Sequence, residues 1–313
     1  MITQAFVLGA GLGTRLRPLT EDLPKPLIPI YQKPLITFVL DHLISVGVRS
    51  FVINTHHRPE PFRELFAKNN YRENPVKLVH EPKILGTGGG IKNAEPFLRD
   101  ETFITYSGDL LTDIDVQQLI DEHFRAGNDV TVAVRETGLG KDVALEGNRV
   151  IDLTNRYGHP GRYDFAGIGV WNRSVFDRIP PGQHLSYIPV LAEWIGQGGK
   201  IGAVVADEGK WFNIGNRKEY LAVHRTIADE NWQPAYVREA DWPARVAADA
   251  KIDPSAHLSG FYSIGSGCEV GADATIEDTI LWEGAKIASR SRVRNCIVRT
   301  HHQAEGSHSD TDI

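Results

Sequence analysis

Apolar runs alternate with helically spaced segments along the first part of the chain. One apolar run ends at Leu8, and SFVINTHH (50–57) and VKLVHE (76–81) have the composition of further strands. Residues 35–48 and 59–70 between them carry apolar positions at helical spacing. This strand and helix alternation predicts an α/β fold, with a Rossmann-like, mostly parallel sheet flanked by helices.

The pattern changes after residue 250 to an aliphatic residue about every six positions. Small residues and glycines lie between the aliphatic positions, which are Ile264, Val270, Ile276, Ile287 and Val293. This period predicts a short left-handed parallel β-helix. Each coil buries its aliphatic side chains only by stacking on another coil. We therefore expect this short array to pack against the main domain or against a second subunit, and we expect a homo-oligomer that forms through the β-helix. A structural role is favoured over acyl transfer, which needs a longer array.

These patterns divide the chain into four parts. Residues 1–230 form the predicted catalytic domain, and the Ala, Pro and Trp-rich residues 231–249 a linker with anchoring aromatics. The β-helix is predicted over 250–300. Residues 301–313 are polar and rich in His, Ser and Asp, and we expect them to be disordered.

Composition narrows the class of protein. The 313 residues have a formal net charge of −6, which argues against a general nucleic-acid binder. No apolar run reaches the roughly 18 residues of a membrane helix, and Met1 leads directly into a strand, so neither a membrane partner nor a signal peptide is predicted. Two distant cysteines, Cys268 and Cys296, favour a reducing, cytoplasmic setting.

A glycine-rich loop follows the first strand. Gly9, Gly11 and Gly13 can bring backbone N–H groups against a phosphate, and the cations Arg15 and Lys25 follow closely. Glycines in such a turn can also serve the turn alone. The loop lacks the Lys and Ser or Thr of a Walker P-loop and the third glycine of a dinucleotide fingerprint.

The whole string is more specific than its glycines. GLGTRLRPLT (11–20) followed by PKPLIPI (24–30) closely resembles the signature loop of the sugar-1-phosphate nucleotidyltransferases. The resemblance covers residues 1–227, and the C-terminal repeats resemble the extra domain of mannose-1-phosphate guanylyltransferases. It implies an enzyme that makes a nucleotide sugar and pyrophosphate from a nucleoside triphosphate and a sugar 1-phosphate.

The resemblance also implies roles for the residues of the loop. Gly11 and Gly13 would cradle the triphosphate, Arg15 would contact the β- and γ-phosphates, and Lys25 would contact the α-phosphate and the sugar phosphate. Arg15 and Lys25 are therefore the candidate catalytic residues. The nucleotide-binding candidates in this loop are Leu8, Gly9, Ala10, Gly11, Gly13 and Thr14.

A second glycine-rich segment, EPKILGTGGGIKNAEPFL (81–98), offers backbone donors at a helix start and room for a flat ring. In the resembled family the corresponding segment packs on the base, with Glu81 where a base-reading group is expected. Gly86, Thr87 and Gly88 are the further nucleotide-binding candidates. A simple glycine-rich connection is the alternative.

A carboxylate follows the strand FITYS (103–107). Asp109 lies where the carboxyl end of a sheet strand would meet a triphosphate, and it is the candidate Mg²⁺ ligand. Asp115 precedes Gln118 as a helix cap does, while the role of Asp113 stays open. The resemblance gives the second metal position to Asn213, an uncharged ligand in place of the usual Asp; a turn residue is the alternative.

The sugar-binding candidates come from two segments. They are Gly108, Asp164, Ala166 and Gly167. Tyr163 to Phe165 stand where the resembled family often has a Glu or a Glu–Lys pair, so the sugar is left open. DFAGIGV (164–170) is nearer to muramate-type uridylyltransferases. His56 and His57 end a strand, and a polar turn is the favoured explanation for them.

Guanylyl transfer from GTP to mannose 1-phosphate, or to a similar hexose or heptose phosphate, is the favoured reaction. Uridylyl transfer from UTP to an amino-sugar or muramate-type 1-phosphate is the alternative within the family. A non-catalytic subunit that binds a nucleotide sugar is an alternative of another class; Asn213 supports it, whereas Arg15, Lys25 and Asp109 together argue against it.

Overall fold

The computed structural model describes residues 1–313, which form two compact units. Unit 1 comprises residues 1–12 and 39–211, and unit 2 comprises residues 13–38 and 212–313. This division differs from the boundary at residue 230 predicted from sequence. The segment after the first two glycines of the loop, and the last helix of the predicted catalytic domain, belong to the unit that also holds the C-terminal strands.

Seven α-helices and twenty-three strands make up the regular structure. The helices are α1 (Leu19–Asp22), α2 (Leu35–Ser45), α3 (Glu60–Leu65), α4 (Gly86–Ala94), α5 (Val116–Ala126), α6 (Tyr187–Gly196) and α7 (Arg217–Glu230). The strands of the first two thirds are β1 (Gln4–Leu8), β2 (Pro29–Ile30), β3 (Lys33–Pro34), β4 (Ser50–Thr55), β5 (Asn70–Tyr71), β6 (Asn74–His80), β7 (Phe103–Ser107), β8 (Leu110–Thr112), β9 (Val130–Arg135), β10 (Val143–Glu146), β11 (Arg149–Leu153), β12 (Asp164–Trp171), β13 (Ile201–Val205) and β14 (Trp211–Asn213). The C-terminal strands are β15 (Lys251–Ile252), β16 (His257–Ile264), β17 (Glu269–Val270), β18 (Thr275–Leu281), β19 (Lys286–Ile287), β20 (Arg292–Arg294), β21 (Ile297–Val298), β22 (Gln303–Ala304) and β23 (Ser307–Ser309).

Unit 1 is built on a ten-stranded sheet in the order β10-β11-β13-β9-β12-β7-β1-β4-β6-β5. Strands β5, β11 and β12 run opposite to the other seven. The block β7-β1-β4-β6 is parallel throughout, so the carboxyl ends of these four strands meet at one edge. The α/β class with a large, mostly parallel sheet is therefore confirmed.

The core of unit 1 lies on the faces of this sheet. Phe6, Phe103 and Trp171 are all fully buried in one apolar cluster, and the ring of Phe103 stacks on that of Phe176 at a centroid distance of 5.3 Å. Burying each such ring stabilises the fold by roughly 1.5–3 kcal/mol. These buried rings therefore hold in place the strands that carry the candidate site residues.

Unit 2 contains an aromatic cluster around α7. The Nδ1–H group of His224 donates to the carbonyl of Tyr220 at 2.9 Å, and its Nε2 accepts from the Tyr31 N–H group at 3.3 Å. The Trp282 indole donates to the Tyr220 hydroxyl at 3.0 Å. Trp242, from the stretch predicted to be a linker with anchoring aromatics, is 6% exposed and donates to the carbonyl of Ile30 at 3.2 Å.

The C-terminal strands form two parallel stacks. One has the order β15-β17-β19-β22, and the other has the order β16-β18-β20-β23 with β21 also paired to β18. Aliphatic positions align along the first stack, where Val270 pairs with Ile287 and Ile287 with Ala304. Each pair buries side chains that a single strand would leave exposed.

The expectation that residues 301–313 are disordered is wrong for this structure. Strand β22 pairs with β19, β23 pairs with β20, and Ala304 is fully buried. Main-chain hydrogen bonds also run between Arg299 and Ile313 at 2.8 Å and between Ile313 and Ile297 at 2.9 Å. A polar sequence can extend a stack of parallel strands because neighbouring strands pair through backbone hydrogen bonds. Only a small side chain, here that of Ala304, is buried beneath the added strand.

The helices are too short or too polar to cross a membrane: none combines the necessary length with sufficient apolar character.

Two buried histidines make folding sensitive to mild acid. Burial lowers the pKa of His224 to about 4, and burial also lowers that of His42 to about 4 against the opposing influence of Asp113 and Asp115. In the unfolded chain both imidazoles titrate near pH 6.5. Between about pH 6.5 and 4 the unfolded state therefore binds protons that the folded state excludes.

We expect the free energy of unfolding to fall as the pH is lowered from 7 to 5, by up to about 1.4 kcal/mol per pH unit for each histidine. Denaturant titration at several pH values measures this slope. His224→Gln keeps a donor and an acceptor but does not titrate, so its slope should be shallower than that of the parent. Identical slopes for the two proteins would contradict this explanation.

Candidate active site

Strand register brings the glycine loop next to two other strand ends in unit 1. Leu8, the last residue of β1, pairs with Asn54 on one side and with Ser107 on the other. The Gly108 N–H group donates to the carbonyl of Leu8 at 2.9 Å. The start of the loop, the end of β4 and the turn that carries Asp109 therefore lie side by side.

Asn54 holds the first residues of the loop. Its Oδ1 accepts from the N–H groups of Gly9 at 2.8 Å and Ala10 at 3.2 Å. A Cβ at Gly9 would lie 2.6 Å from the Asn54 carbonyl oxygen, so a glycine is required there for close packing. In contrast, a Cβ at Gly11 would meet no atom within 4 Å. The N–H groups of Gly9 and Ala10 are therefore hydrogen-bonded within the protein, whereas Gly11 borders open space.

Asp109 is half-buried in the turn between β7 and β8. The neighbouring acidic residues have structural roles: Asp113 Oδ1 accepts the Lys210 N–H group at 2.5 Å, and Asp115 caps α5 by accepting the Gln118 N–H group at 3.0 Å. The cap at Asp115 is confirmed. No group of three or more His, Cys, Asp or Glu side chains is arranged to hold a metal ion.

The glycines of α4 serve packing inside unit 1. The N–H groups of Gly88 and Gly89 donate to the carbonyl of Leu185 at 2.8 and 3.2 Å. The Thr87 hydroxyl accepts the Tyr187 N–H group at 3.2 Å, and a Cβ at Gly86 would lie 2.8 Å from the Leu185 carbonyl oxygen. Two donors expected to face a ligand are thus satisfied within the chain. A nucleotide-binding role for Gly86, Thr87 and Gly88 stays a prediction.

Glu81 is fully buried at the start of the same glycine-rich segment, 81–98. Its Oε1 accepts from the Asn54 Nδ2 at 2.7 Å, and its Oε2 accepts from the Leu85 N–H group at 2.9 Å. Each carboxylate oxygen thus has a protein partner. Reading of a base by this carboxylate stays a prediction, and in this structure the side chain joins two loops.

Two of the predicted sugar-binding residues, Ala166 and Gly167, lie at a register shift of β12, whereas Gly108 lies in the turn between β7 and β8. The conformation of Gly167 has φ +85°, and its Cβ would lie 2.5 Å from Leu110 Cδ1, so only glycine fits there. The carbonyl of Ala166 accepts the Trp211 indole N–H at 3.0 Å. These contacts fix the path of β12 beside the turn that carries Gly108. Sugar binding by this group stays a prediction.

Asp164 ties the loop 137–141 to β12. Its carboxylate accepts from the Thr137 hydroxyl, from the Gly140 N–H group at 2.8 Å and from the Lys141 N–H group at 2.7 Å. Burial acts to raise the pKa of Asp164, but the hydrogen bonds together lower it below its ordinary value. The carboxylate is thus kept ionised and occupied by the loop.

The two candidate catalytic cations belong to unit 2. Gly13 adopts φ +59°, its carbonyl accepts the Thr20 hydroxyl at 2.8 Å, and the exposed Thr14 begins the short 3₁₀ turn that carries Arg15. The exposed Arg15 lies beside Gly215, where a Cβ would be 3.3 Å from its Nη2.

Lys25 is half-buried in the 3₁₀ segment Lys25–Leu27. Asn213 is exposed at the end of β14, ahead of the fully buried Ile214. The nearby cap of α7 is a different residue, Asn216, whose side chain accepts the Glu219 N–H group at 3.0 Å. Asn213 is therefore not needed as the cap of this helix.

Sequence reasoning missed Asn54. Its signal was present as a polar residue at the end of an otherwise apolar run, SFVIN, and this residue is only 1% exposed. A buried carboxamide must find partners for both its oxygen and its nitrogen. The partners themselves come from segments distant in the sequence.

Comparison with known proteins identifies the family. The profile of the family described as "Nucleotidyl transferase" matches residues 4–230, well over half of the chain. This chain belongs to the nucleotidyl transferase family. Among curated relatives, the mannose-1-phosphate guanylyltransferase of Mycobacterium tuberculosis is 29% identical over 290 residues, covering 90% of this chain and 80% of that protein.

A second curated relative and one solved structure are also similar to this nucleotidyltransferase. A UTP–glucose-1-phosphate uridylyltransferase of Synechocystis is 23% identical, covering 94% of this chain and 87% of that protein. The inositol-1-phosphate CTP transferase structure from T. maritima aligns with a TM-score of 0.57 at 21% identity, covering 70% of this chain and 91% of that one. The structural match supports the fold alone.

Gly11→Ala should leave the melting temperature unchanged, because the added Cβ meets no protein atom within 4 Å. If a triphosphate packs against this amide, the methyl group should raise the KM for the triphosphate by about tenfold or more, the effect of losing roughly 1.4 kcal/mol of binding. Steady-state kinetics and thermal melting measure the two effects.

Gly89→Ala is the matched control. Its Cβ would lie 2.2 Å from the Gln183 carbonyl oxygen, so this variant should lose stability by overpacking, at about 1–3 kcal/mol. An unchanged KM for the triphosphate in Gly11→Ala would contradict the assignment of this space to the ligand.

Proposed function

We propose that this nucleotidyltransferase joins a nucleoside triphosphate to a sugar 1-phosphate and releases pyrophosphate. The observation that carries the proposal is the family match over residues 4–230, which includes the glycine loop and the cations Arg15 and Lys25. The two curated relatives described above are both named for sugar 1-phosphate substrates. The opening of space at Gly11, directly after two anchored amides, supports phosphate binding at this loop.

The chemistry is a displacement at the α-phosphorus. An oxygen of the sugar phosphate forms a bond to the α-phosphorus. At the same time the bond between the α-phosphorus and the oxygen that bridges the α- and β-phosphates breaks, and pyrophosphate leaves with that electron pair. Both reactants are polyanions, so their mutual repulsion is the main obstacle. Catalysis therefore depends on orientation and on neutralisation of charge more than on proton transfer.

We assign the charge neutralisation to Arg15 and Lys25. Arg15 would contact the β- and γ-phosphates, where negative charge grows as pyrophosphate leaves. Lys25 would contact the α-phosphate and the incoming sugar phosphate, lowering the repulsion between them. A guanidinium suits the terminal phosphates because it offers several donors in a planar array, whereas an ammonium acts as a compact point charge.

Asp109 fits a hard divalent cation such as Mg²⁺. Its carboxylate is half-buried at the carboxyl end of β7, beside the loop that starts at Gly9. Mg²⁺ commonly takes one or two protein carboxylates and completes its shell with water and phosphate oxygens, which agrees with the absence of a larger ligand cluster. When bound, the ion would supply positive charge to the phosphates. Asn213 is kept as the second ligand on the resemblance alone.

Guanylyl transfer to mannose 1-phosphate, or to a related hexose or heptose phosphate, is the preferred specificity. The relative from Mycobacterium tuberculosis supports it. Uridylyl transfer is the second candidate, supported by the DFAGIGV segment and by the Synechocystis relative. We further propose that the C-terminal stacks form a left-handed β-helix and mediate homo-oligomerisation in the cytoplasm.

The function is tested by mixing the protein and MgCl₂ with GTP or UTP and a panel of sugar 1-phosphates, and then measuring pyrophosphate. We expect release that requires both substrates and is fastest with GTP and mannose 1-phosphate. Fastest release with UTP would select the second candidate. No release with any pair, together with tight binding of a nucleotide sugar, would instead support a regulatory subunit.

Lys25→Ala should lower kcat by about 100-fold or more, the scale of losing one preorganised charge contact. Circular dichroism and melting should show an intact fold. Lys68→Ala removes the same charge from an exposed site on another part of the chain and should keep the parental rate. Parental turnover in Lys25→Ala would remove this residue from the mechanism.

Asp109→Asn should shift the dependence of activity on Mg²⁺ concentration to higher values, because the amide brings no charge to the ion. Titration of pyrophosphate release with MgCl₂ measures the shift. Asp177→Asn, at an exposed position in the segment Arg173–Arg178, is the control. If the two variants gave the same Mg²⁺ response as the parent, Asp109 would not be a ligand.

A further inference from the structure

Asn54 and Glu81 form a buried pair that connects two loops of unit 1. Asn54 is 1% exposed and Glu81 is fully buried. The Asn54 oxygen accepts two loop amides, those of Gly9 and Ala10, and its nitrogen donates to Glu81 Oε1 at 2.7 Å. Glu81 Oε2 accepts the amide of Leu85 at 2.9 Å, at the N-cap of α4. An unbroken chain of hydrogen bonds therefore runs from one glycine segment to the other.

The surrounding structure leaves this pair little room to move. A Cβ at Gly90 would lie 2.7 Å from Asn54 Nδ2 and 3.0 Å from Glu81 Oε1, so α4 packs its glycine face directly on the pair. The Glu81 N–H group donates to the carbonyl of Thr55 at 2.7 Å, and the Glu81 carbonyl contacts Nδ1 of His56 at 2.7 Å. The backbone of Glu81 is thus fixed on both sides.

We propose that Asn54 and Glu81 are positioning residues, which hold the amides of Gly9 and Ala10 so that phosphate binding begins at Gly11. This inference rests on the proposed function, because it gives the triphosphate to the glycine loop. It assigns Glu81 to support of the loop and not to direct contact with a base.

The physical reason is the cost of ordering a glycine-rich loop. Fixing the backbone of each residue costs conformational entropy, and glycine loses the most freedom. When the protein itself orders Gly9 and Ala10, the ligand does not bear that cost on binding. A misplacement of about 1 Å in such a support can lower activity by about 100-fold. Buried hydrogen bonds suit this role because leaving either partner unsatisfied is costly.

The pair permits a test by exchange of its chemical groups. Asn54→Asp places two carboxylates against each other, and Glu81→Gln places an amide nitrogen against the Asn54 Nδ2 donor or the Leu85 donor. In the double variant, which carries Asn54→Asp and Glu81→Gln together, the carboxylate and the amide have exchanged places. The carboxylate would then accept from the amide nitrogen and from Gly9 and Ala10, and the amide oxygen would accept from Leu85. The double variant restores every hydrogen bond with the net charge of the parent.

We expect each single variant to lose about 10- to 100-fold in kcat/KM for GTP or UTP, and the double variant to recover to within about threefold of the parent. The KM for the sugar 1-phosphate at saturating triphosphate should stay parental in all three. Hydrogen–deuterium exchange of the peptide containing Gly9 and Ala10 should quicken in the single variants and slow again in the double variant. A purely structural role would lower the melting temperature without this split between substrates.

Asn295→Asp is the matched control, because the Asn295 Nδ2 also donates to a carboxylate, Asp310 Oδ1, at 2.6 Å, but in a hydrogen bond that is exposed to solvent. It should keep parental kinetics. Parental kcat/KM for the triphosphate in both single variants, or a double variant no better than the worse single one, would overturn the proposal.

Failure of the proposed function would be recognised separately, as absence of pyrophosphate release by the parent with every substrate pair. In that case exchange of the loop amides and calorimetric binding of inorganic tripolyphosphate decide the inference. Weaker binding and faster exchange in the single variants, both restored in the double variant, would support it. Unchanged binding and exchange would overturn it.

Discussion

The two hydrogen bonds from the amides of Gly9 and Ala10 to the Asn54 oxygen are the interaction on which the candidate site of unit 1 depends. A parallel sheet brings strand ends to one edge, but it does not fix the loops that follow them. Here one carboxamide joins the loop after β1 to the end of β4, and Glu81 extends the connection to the start of α4. A flexible glycine segment thereby acquires a defined shape before any ligand arrives.

The two glycine segments serve different physical needs. The glycines of α4 allow close approach of backbone and side chains, as at Gly88 against Leu185 and at Gly90 against the buried pair. Gly11 instead borders open space, which a ligand can occupy. Glycine content alone does not distinguish these uses; the neighbouring atoms do. Proteins that bind phosphates need backbone approach as well as charge, and the open space at Gly11 allows such an approach.

The sequence predicted what depends on local patterns. Alternating apolar runs predicted the sheet, and Asp115 was identified as a cap because its partner lies three residues away. The roles of Asn54 and Glu81 could not be predicted, since their partners are distant in the chain and either residue could equally have faced a ligand. The polar composition of residues 301–313 predicts disorder, but these residues are ordered by backbone pairing of β22 and β23. Backbone pairing depends little on side-chain composition, so the composition does not predict it.

In the proposed mechanism the protein orders Gly9 and Ala10, and the triphosphate contacts begin at Gly11. A crystal structure with a non-hydrolysable GTP analogue and Mg²⁺ tests this most directly. We expect a phosphate oxygen within hydrogen-bond distance of the Gly11 amide, with Asn54 still accepting from Gly9 and Ala10. A triphosphate bound to the amides of Gly9 and Ala10 with Asn54 displaced, or bound away from this loop, would contradict the account.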